Sequence, residues 1–201
     1  MTTWVAKPGT LVVLEGLDRT GKSTQARSLE RELDHATTVH VHMPSGFTHF
    51  TQALYTTLNS GEYRPTSGLA KQLAHLACHA ESVPYILKAL ESGAVVLDRW
   101  WWSSIAYGWF GGDVPPSGMT HETFTELVRT VWAPLTASVI FLFDKPFEED
   151  ANNSHEIAAG YRALVHDHQD VAVLVPQLDT ASLTAHIIAE LAHRGLVNGR
   201  D

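Results

Sequence analysis

The sequence predicts an α/β fold of three layers, a parallel sheet with helices on both faces. Two observations carry this. Short apolar, β-branched runs alternate with longer helical patterns along the chain, and strands joined through helices run parallel with right-handed crossovers. The first such run leads directly into Gly16-Leu-Asp-Arg-Thr-Gly-Lys-Ser23, a full G-x-x-x-x-G-K-[ST] loop in the strand-to-helix setting that this motif needs.

Residues 10–15, Thr-Leu-Val-Val-Leu-Glu, suit a strand buried on both faces. After the loop, 22–34 has a helical pattern. Residues 36–42 form a β-branched second strand that ends before Pro44, because proline restricts the residue ahead of it. Helices are expected over 48–58 and 67–90, the second bent near Pro84. Residues 93–98, Gly-Ala-Val-Val-Leu-Asp, read as a third strand ending in an acid. A helix over 101–110 runs into a loop marked by Gly111-Gly112 and Pro115-Pro116, and another spans 121–132. Residues 137–143 make a fourth strand, and a brief polar stretch, 147–154, precedes the next helix. Residues 171–175 make a fifth strand, stopped by Pro176. An amphipathic helix over 180–194, capped by Asp179 or Thr180, closes the chain. Ligands of such sheets bind beyond the carboxyl ends of the strands.

The length of 201 residues favours one domain over 1–201. The net charge of −8 opposes a nucleic-acid partner and favours a small-molecule ligand in a cleft of local positive charge. The first residues, Met1-Thr-Thr-Trp-Val-Ala-Lys-Pro, lack the apolar core of a signal peptide. No apolar run approaches the roughly 20 residues that span a bilayer. The lone Cys78 has no partner for an internal disulfide. A cytoplasmic protein without membrane contact is expected.

The loop carries the most chemistry. Glycines at 16 and 21 let successive amides turn inward on phosphate oxygens, and the following helix adds its positive end. Gly16, Leu17, Asp18, Arg19, Thr20, Gly21, Lys22, Ser23 and Thr24 are therefore the expected nucleoside triphosphate site. Lys22 reaches the β- and γ-phosphates, Ser23 supplies an oxygen to Mg²⁺, and Thr24 is placed to bond a further phosphate oxygen. From the residues alone, Arg19 is either a guanidinium that meets charge growing on the transferred group or a solvent-exposed loop arginine.

Two blocks give the chain a family likeness. Val13-Leu-Glu-Gly-Leu-Asp-Arg-Thr-Gly-Lys-Ser-Thr-Gln25 resembles the phosphate loop of thymidylate kinases, which convert dTMP to dTDP with ATP. Asp98-Arg-Trp-Trp-Trp-Ser-Ser-Ile-Ala-Tyr107 is similar to their Asp-Arg-Tyr-x-x-Ser-x-x-Ala-Tyr segment. The resemblance implies a P-loop kinase fold with a five-stranded parallel sheet, often a homodimer, and a Mg²⁺-dependent enzyme acting on dTMP or a modified pyrimidine deoxynucleotide. It implies that Arg19 is the catalytic loop arginine and that Asp18 holds the acceptor sugar. It further implies that Arg99 grips the acceptor phosphate, that Asp98 sits by the Mg²⁺ and its waters, that Tyr107 packs on the sugar, and that Ser104 faces the pyrimidine.

The chain departs from that pattern in three places. Where the family has a Phe that stacks on thymine and an Arg that bonds its carbonyl, this chain has His75 and His79, four apart on one helix face. No Arg lies near Pro44, and His42 is the nearest candidate for the acceptor phosphate. The stretch 147–154 contains no Arg, which leaves more of the catalysis to Arg19. His40, His42, His75, Cys78 and His79 also admit a transition-metal reading, although no C-x-x-C pair accompanies them. Of Trp100, Trp101 and Trp102, at most one can face an acceptor from a helix, and the others bury or meet a second copy. Two other functions fit the loop: a kinase of a nucleoside or another small hydroxyl acceptor with Asp98 or Glu15 as base, and a nucleotide-binding regulator without turnover.

Overall fold

A computed structural model describes residues 3–200. Met1, Thr2 and Asp201, the ends of the expected domain and the start of the stretch tested for a signal peptide, lie outside them. Five parallel strands form the main sheet: β2 (Leu11–Gly16), β3 (Thr38–His42), β4 (Ala94–Asp98), β5 (Val139–Phe143) and β6 (Ala172–Leu174), in the order β3-β4-β2-β5-β6. These are the five strands expected, four trimmed by one or two residues at an end and β2 shifted on by one.

The alternation within β2 explains why both faces are covered. Leu11 and Val13 join one apolar core, while Val12 and Leu14 join the other. The first core packs under α3 (Gly68–Leu90), α5 (His121–Trp132) and α6 (His155–Asp167). The second packs under α1 (Lys22–Glu32) and α7 (Thr180–His193). In α7 the buried Leu183, Ile187 and Leu191 recur every fourth residue, and each contributes about 1.5–3 kcal/mol of burial. Asp179 caps that helix by accepting from the amides of Ala181 and Ser182, both at 3.0 Å. Gln25 ties α1 to α7, donating to Thr180 O at 3.0 Å and accepting from Thr184 Oγ1 at 2.8 Å. The helix α2 (His49–Leu58) begins at a capping box on Thr48 and packs along α3. No described helix is long and apolar enough to cross a membrane.

Two features differ from the sequence expectation. The segment after β4 is not one α-helix: a single turn, α4 (Trp101–Ser103), passes into a π-helical run over Ser104–Phe110. Gly108 allows that run to lie close, because a Cβ there would meet Phe124 at 2.9 Å and Gln72 at 3.0 Å. A π-turn re-aims side chains relative to an α-helix, and here it turns Ser104 and Tyr107 to one cavity. Secondly, β1 (Thr3–Ala6) and β7 (Val197–Arg200) pair antiparallel as a separate two-stranded ribbon.

Parallel register brings the functional ends together. Leu14 and His42 both pair with Asp98, and Gly16 pairs with Phe143. The ends of β2, β3, β4 and β5 thus share one rim.

Candidate active site

At that rim the loop between β2 and α1 is built by backbone geometry. Gly16 has φ of 134°, and a Cβ there would lie 2.0 Å from Phe143 O, so only glycine fits. Leu17 N donates to that same carbonyl at 3.0 Å. Arg19 holds a left-handed φ of 58°, and Gly21, with φ of 85°, caps α1 without a side-chain bond. No acidic residue occupies the first turn of α1. Its amides and positive dipole end are left for an anion.

Lys22 is buried and folds back on the loop. Its Nζ donates to Leu17 O and, at 3.4 Å, to Thr20 Oγ1. Burial pushes its pKa down to about 7, the Arg99 charge adds to this, and Asp98, Asp18 and Glu15 oppose it. A polyphosphate bound beside Nζ favours the ammonium form. Above neutral pH the free lysine is largely uncharged, so binding takes up a proton; below it the proton is already in place. Calorimetry of ATP binding in buffers of different ionisation enthalpy should show net proton uptake at about pH 8 that fades towards about pH 6.

Asp98 ends β4 opposite Ser23. Ser23 Oγ donates to Asp98 Oδ2 at 3.1 Å, and His42 Nδ1 lies 3.2 Å from the same oxygen. Asp98 Oδ1 is buried with no hydrogen-bond partner among the described residues. Burial works to raise the Asp98 pKa, but His42, Arg99 and Lys22 together hold it below the ordinary value. An ionised carboxylate with one uncommitted oxygen beside a serine hydroxyl is a donor set that suits Mg²⁺.

Arg99 also takes a left-handed φ, 76°. Its guanidinium pairs with the Asp18 carboxylate, donates to Ser103 Oγ at 3.1 Å and Gly16 O at 3.4 Å, and lies 5.4 Å above the Tyr107 ring. Backbone strain at two arginines of one rim is a mark of a functional position.

Beneath Arg99, Glu15 is fully buried. Its Oε1 accepts from Trp100 N at 2.8 Å and Ser103 N at 2.9 Å, and its Oε2 from Ser103 Oγ at 2.7 Å and Tyr161 OH at 3.1 Å. That commitment makes Glu15 a brace for the start of α4 and not the base that one sequence reading allowed. In Asp98 only Oδ2 is engaged, by Ser23 and His42.

The stretch 147–154 lies directly on the loop. Phe147 N donates to Arg19 O at 2.9 Å. Asn153 grips the Asp18 peptide from both sides, accepting from Asp18 N and donating to Asp18 O, each at 2.8 Å. Asp150 holds Arg19 Nε at 3.3 Å, while the arginine side chain stays 62% exposed. The sequence pointed to none of these partners; the only trace was the Asn152-Asn153 pair in a polar run.

One cavity of about 590 Å³ gathers most of the expected residues: Asp18 through Thr24, His42, His75, His79, Arg99, Ser104 and Tyr107. Gly16, Leu17 and Asp98 are not in its lining; Asp98 touches two residues that are, Ser23 and His42. Two of the cavity histidines are shifted by burial. Burial lowers the pKa of His75 to about 4, with Lys71 adding, and that of His79 to about 3, with His75 adding. Both are neutral near pH 7. His42 points into the Asp98 carboxylate, with Tyr55 OH 3.4 Å from its other nitrogen. Among the described residues no three His, Cys, Asp or Glu side chains are gathered to hold a metal ion, so the five-residue transition-metal cluster is not assembled. Cys78 is buried with its Sγ turned to Thr51 O. Trp100 lines the cavity, while Trp101 and Trp102 bury in the core.

Known proteins of one family resemble this chain in sequence and fold. The thymidylate kinase family model matches residues 14–154. A probable thymidylate kinase of Thermococcus kodakarensis is 31% identical over 150 residues, covering 70% of this chain and 69% of that protein. A thymidylate kinase of a Synechococcus species is 33% identical over 149 residues, covering 69% and 67%. In fold, the chain is similar to the thymidylate kinase of Ehrlichia chaffeensis, with a TM-score of 0.76 at 20% identity over 92% of this chain and all of that one. It is also similar to that of Candida albicans, with a TM-score of 0.71 at 18% identity over 100% and 97%.

Proposed function

The chain belongs to the thymidylate kinase family, and we propose that it transfers the γ-phosphoryl group of ATP to dTMP or a closely related pyrimidine deoxynucleotide, giving the diphosphate. The observation that carries this is the shared cavity. The loop residues Asp18 to Thr24, Arg19 and Lys22 among them, line it together with Arg99 and Tyr107.

Phosphoryl transfer needs little covalent help from protein. It needs the two phosphates in line and the growing charge neutralised. In this reading the loop amides and Lys22 hold the donor phosphates. Arg19 leaves Asp150 to meet the transferred group. Arg99, fixed by Asp18 and Ser103, holds the acceptor phosphate, and Asp18 orients the sugar. Ser104 and Tyr107 shape the remainder of the acceptor pocket, with His75 and His79 towards the base. Ser23 and Asp98 would hold Mg²⁺, which when bound spreads the charge of the β- and γ-phosphates. The homodimer and the cytoplasmic setting expected from the resemblance and the single cysteine belong to the same proposal.

A coupled assay of ADP formation across dTMP, dUMP, 5-substituted dUMPs, dCMP and purine monophosphates tests the reading. The expected result is turnover with dTMP. ADP formation with none of them sinks it.

A further inference from the structure

Two side-chain partners of the Arg99 guanidinium, Asp18 and Ser103, are held from one helix. Asn153 directly precedes Ser154, whose Oγ caps α6 by accepting from Ile157 N at 3.3 Å. The Asn153 side chain takes both sides of the Asp18 peptide, accepting from Asp18 N and donating to Asp18 O, each at 2.8 Å. The carboxylate of that same Asp18 pairs with Arg99. Further along α6, Tyr161 is buried in the core with Ile157 and Leu164. Its hydroxyl donates to Glu15 Oε2 at 3.1 Å and lies 2.9 Å from Ser103 Oγ, which accepts from Arg99 Nη1 at 3.1 Å. Burial raises the Tyr161 pKa well above its ordinary value, so the hydroxyl keeps its proton. The Tyr161 ring also meets the edge of the Tyr107 ring, with centroids 6.2 Å apart, and Tyr107 lies against the guanidinium. Such support has work to do. A left-handed backbone at Arg99, with its Cβ, persists only where the surroundings over-determine it.

We propose that α6 sets the Arg99 guanidinium from two sides, with Asn153 and Tyr161 as positioning residues that act through Asp18 and Ser103 to hold it ready for the acceptor phosphate. This rests on the proposed grip of Arg99 on that phosphate. Neither Asn153 nor Tyr161 is in the lining of the cavity, so their effect on the acceptor passes through the residues they hold. An arginine side chain has a long flexible stem, and a ligand that must order it binds more weakly. Contacts made before the ligand arrives remove that cost. The two residues hold different partners: Asn153 fixes the peptide that aims the Asp18 carboxylate, and Tyr161 fixes the serine that carries the other side of the fork.

The test measures steady-state kinetics with dTMP in wild type, Asn153→Ala and Tyr161→Phe, and repeats both changes in the Arg99→Ala background. Tyr161→Phe keeps the ring in the core and deletes only the hydroxyl. Each single variant is expected to raise the acceptor KM about tenfold, with kcat and the KM for ATP changed less than about threefold. Once Arg99 is gone, each change should lower kcat/KM by less than about twofold more, because the group it positioned is absent. Melting curves show whether the variants are folded; if Tyr161→Phe is not, the half-buried Asn153→Ala decides. An unchanged acceptor KM in the folded variants overturns the proposal. So does an equal rise in the KM for ATP, or a loss of the same size with and without Arg99, since either marks a general loosening of the structure. A wild-type acceptor KM in Arg99→Ala itself would overturn the grip on the phosphate beneath it, and the proposal with it.

Discussion

Replacing Arg19 with alanine is expected to lower kcat by about 10³-fold or more, with ATP affinity changed by less than about tenfold. A guanidinium that meets the transferred phosphoryl group acts on charge that grows in the transition state, so its loss falls on the rate and not on ground-state binding. Two features make the dependence on Arg19 heavy here. The stretch 147–154 contains no arginine or lysine, and Arg19 and Arg99 are the two arginines that line the cavity. Arg99 is committed by its contacts to Asp18, Ser103 and Gly16. The Arg19 side chain is held by an exposed pair with Asp150, which solvent screens. It is thus free to turn inward at little cost, from a backbone already set at φ of 58°. Steady-state kinetics at saturating acceptor, paired with ATP calorimetry, checks the split. An equal loss in both would mean that Arg19 merely binds ATP.

The second large effect is at the group proposed to hold the acceptor phosphate. Arg99→Ala is expected to raise the acceptor KM by about 10²–10³-fold while leaving ATP binding close to wild type. A dianionic phosphate needs a fixed cation, and this guanidinium is positioned by three contacts before any ligand arrives. Burial works against its charge, yet Tyr161, Tyr107, Asp18 and Glu15 outweigh that and raise its pKa above the ordinary value. Part of the loss will come from the Asp18 carboxylate left unpaired. Arg99→Lys separates the two contributions: it keeps a positive charge near Asp18 but lacks the planar fork. Acceptor affinity should stay well below wild type in Arg99→Lys, although its melting temperature recovers. If Arg99→Ala leaves acceptor KM unchanged, the cavity is not used as argued.

The parts of the site legible in the sequence are those set by local pattern. The apolar run at 10–15, the glycines at 16 and 21, and the acid closing 93–98 each fix backbone direction within a few residues. Parallel register then joins them, because Leu14 and His42 fall opposite Asp98. What stayed hidden depends on distant pairings. The ribbon of β1 and β7 joins residues at opposite ends of the chain, and each strand has only four residues. The π-helical run at Ser104–Phe110 shares its apolar content with an ordinary helix, and only packing against Phe124 and Gln72 makes Gly108 necessary. Glu15 reads as a strand-end acid and a candidate base until four donors from Trp100, Ser103 and Tyr161 are seen to close on it. The grip of Asn153 on the Asp18 peptide spans 135 positions. His79 was identifiable by its helix face, but the Trp132 indole that donates to its Nδ1 lies 53 positions away.

The central claim is that donor and acceptor occupy one continuous cavity, with the transferred group between Arg19 and Arg99. A dinucleoside pentaphosphate linking adenosine to thymidine spans both ends at once and tests this in a single titration. Calorimetry should give an affinity well above that of ATP or dTMP alone, reduced by both Arg19→Ala and Arg99→Ala. Binding no tighter than ATP alone, and indifferent to Arg99→Ala, would contradict it.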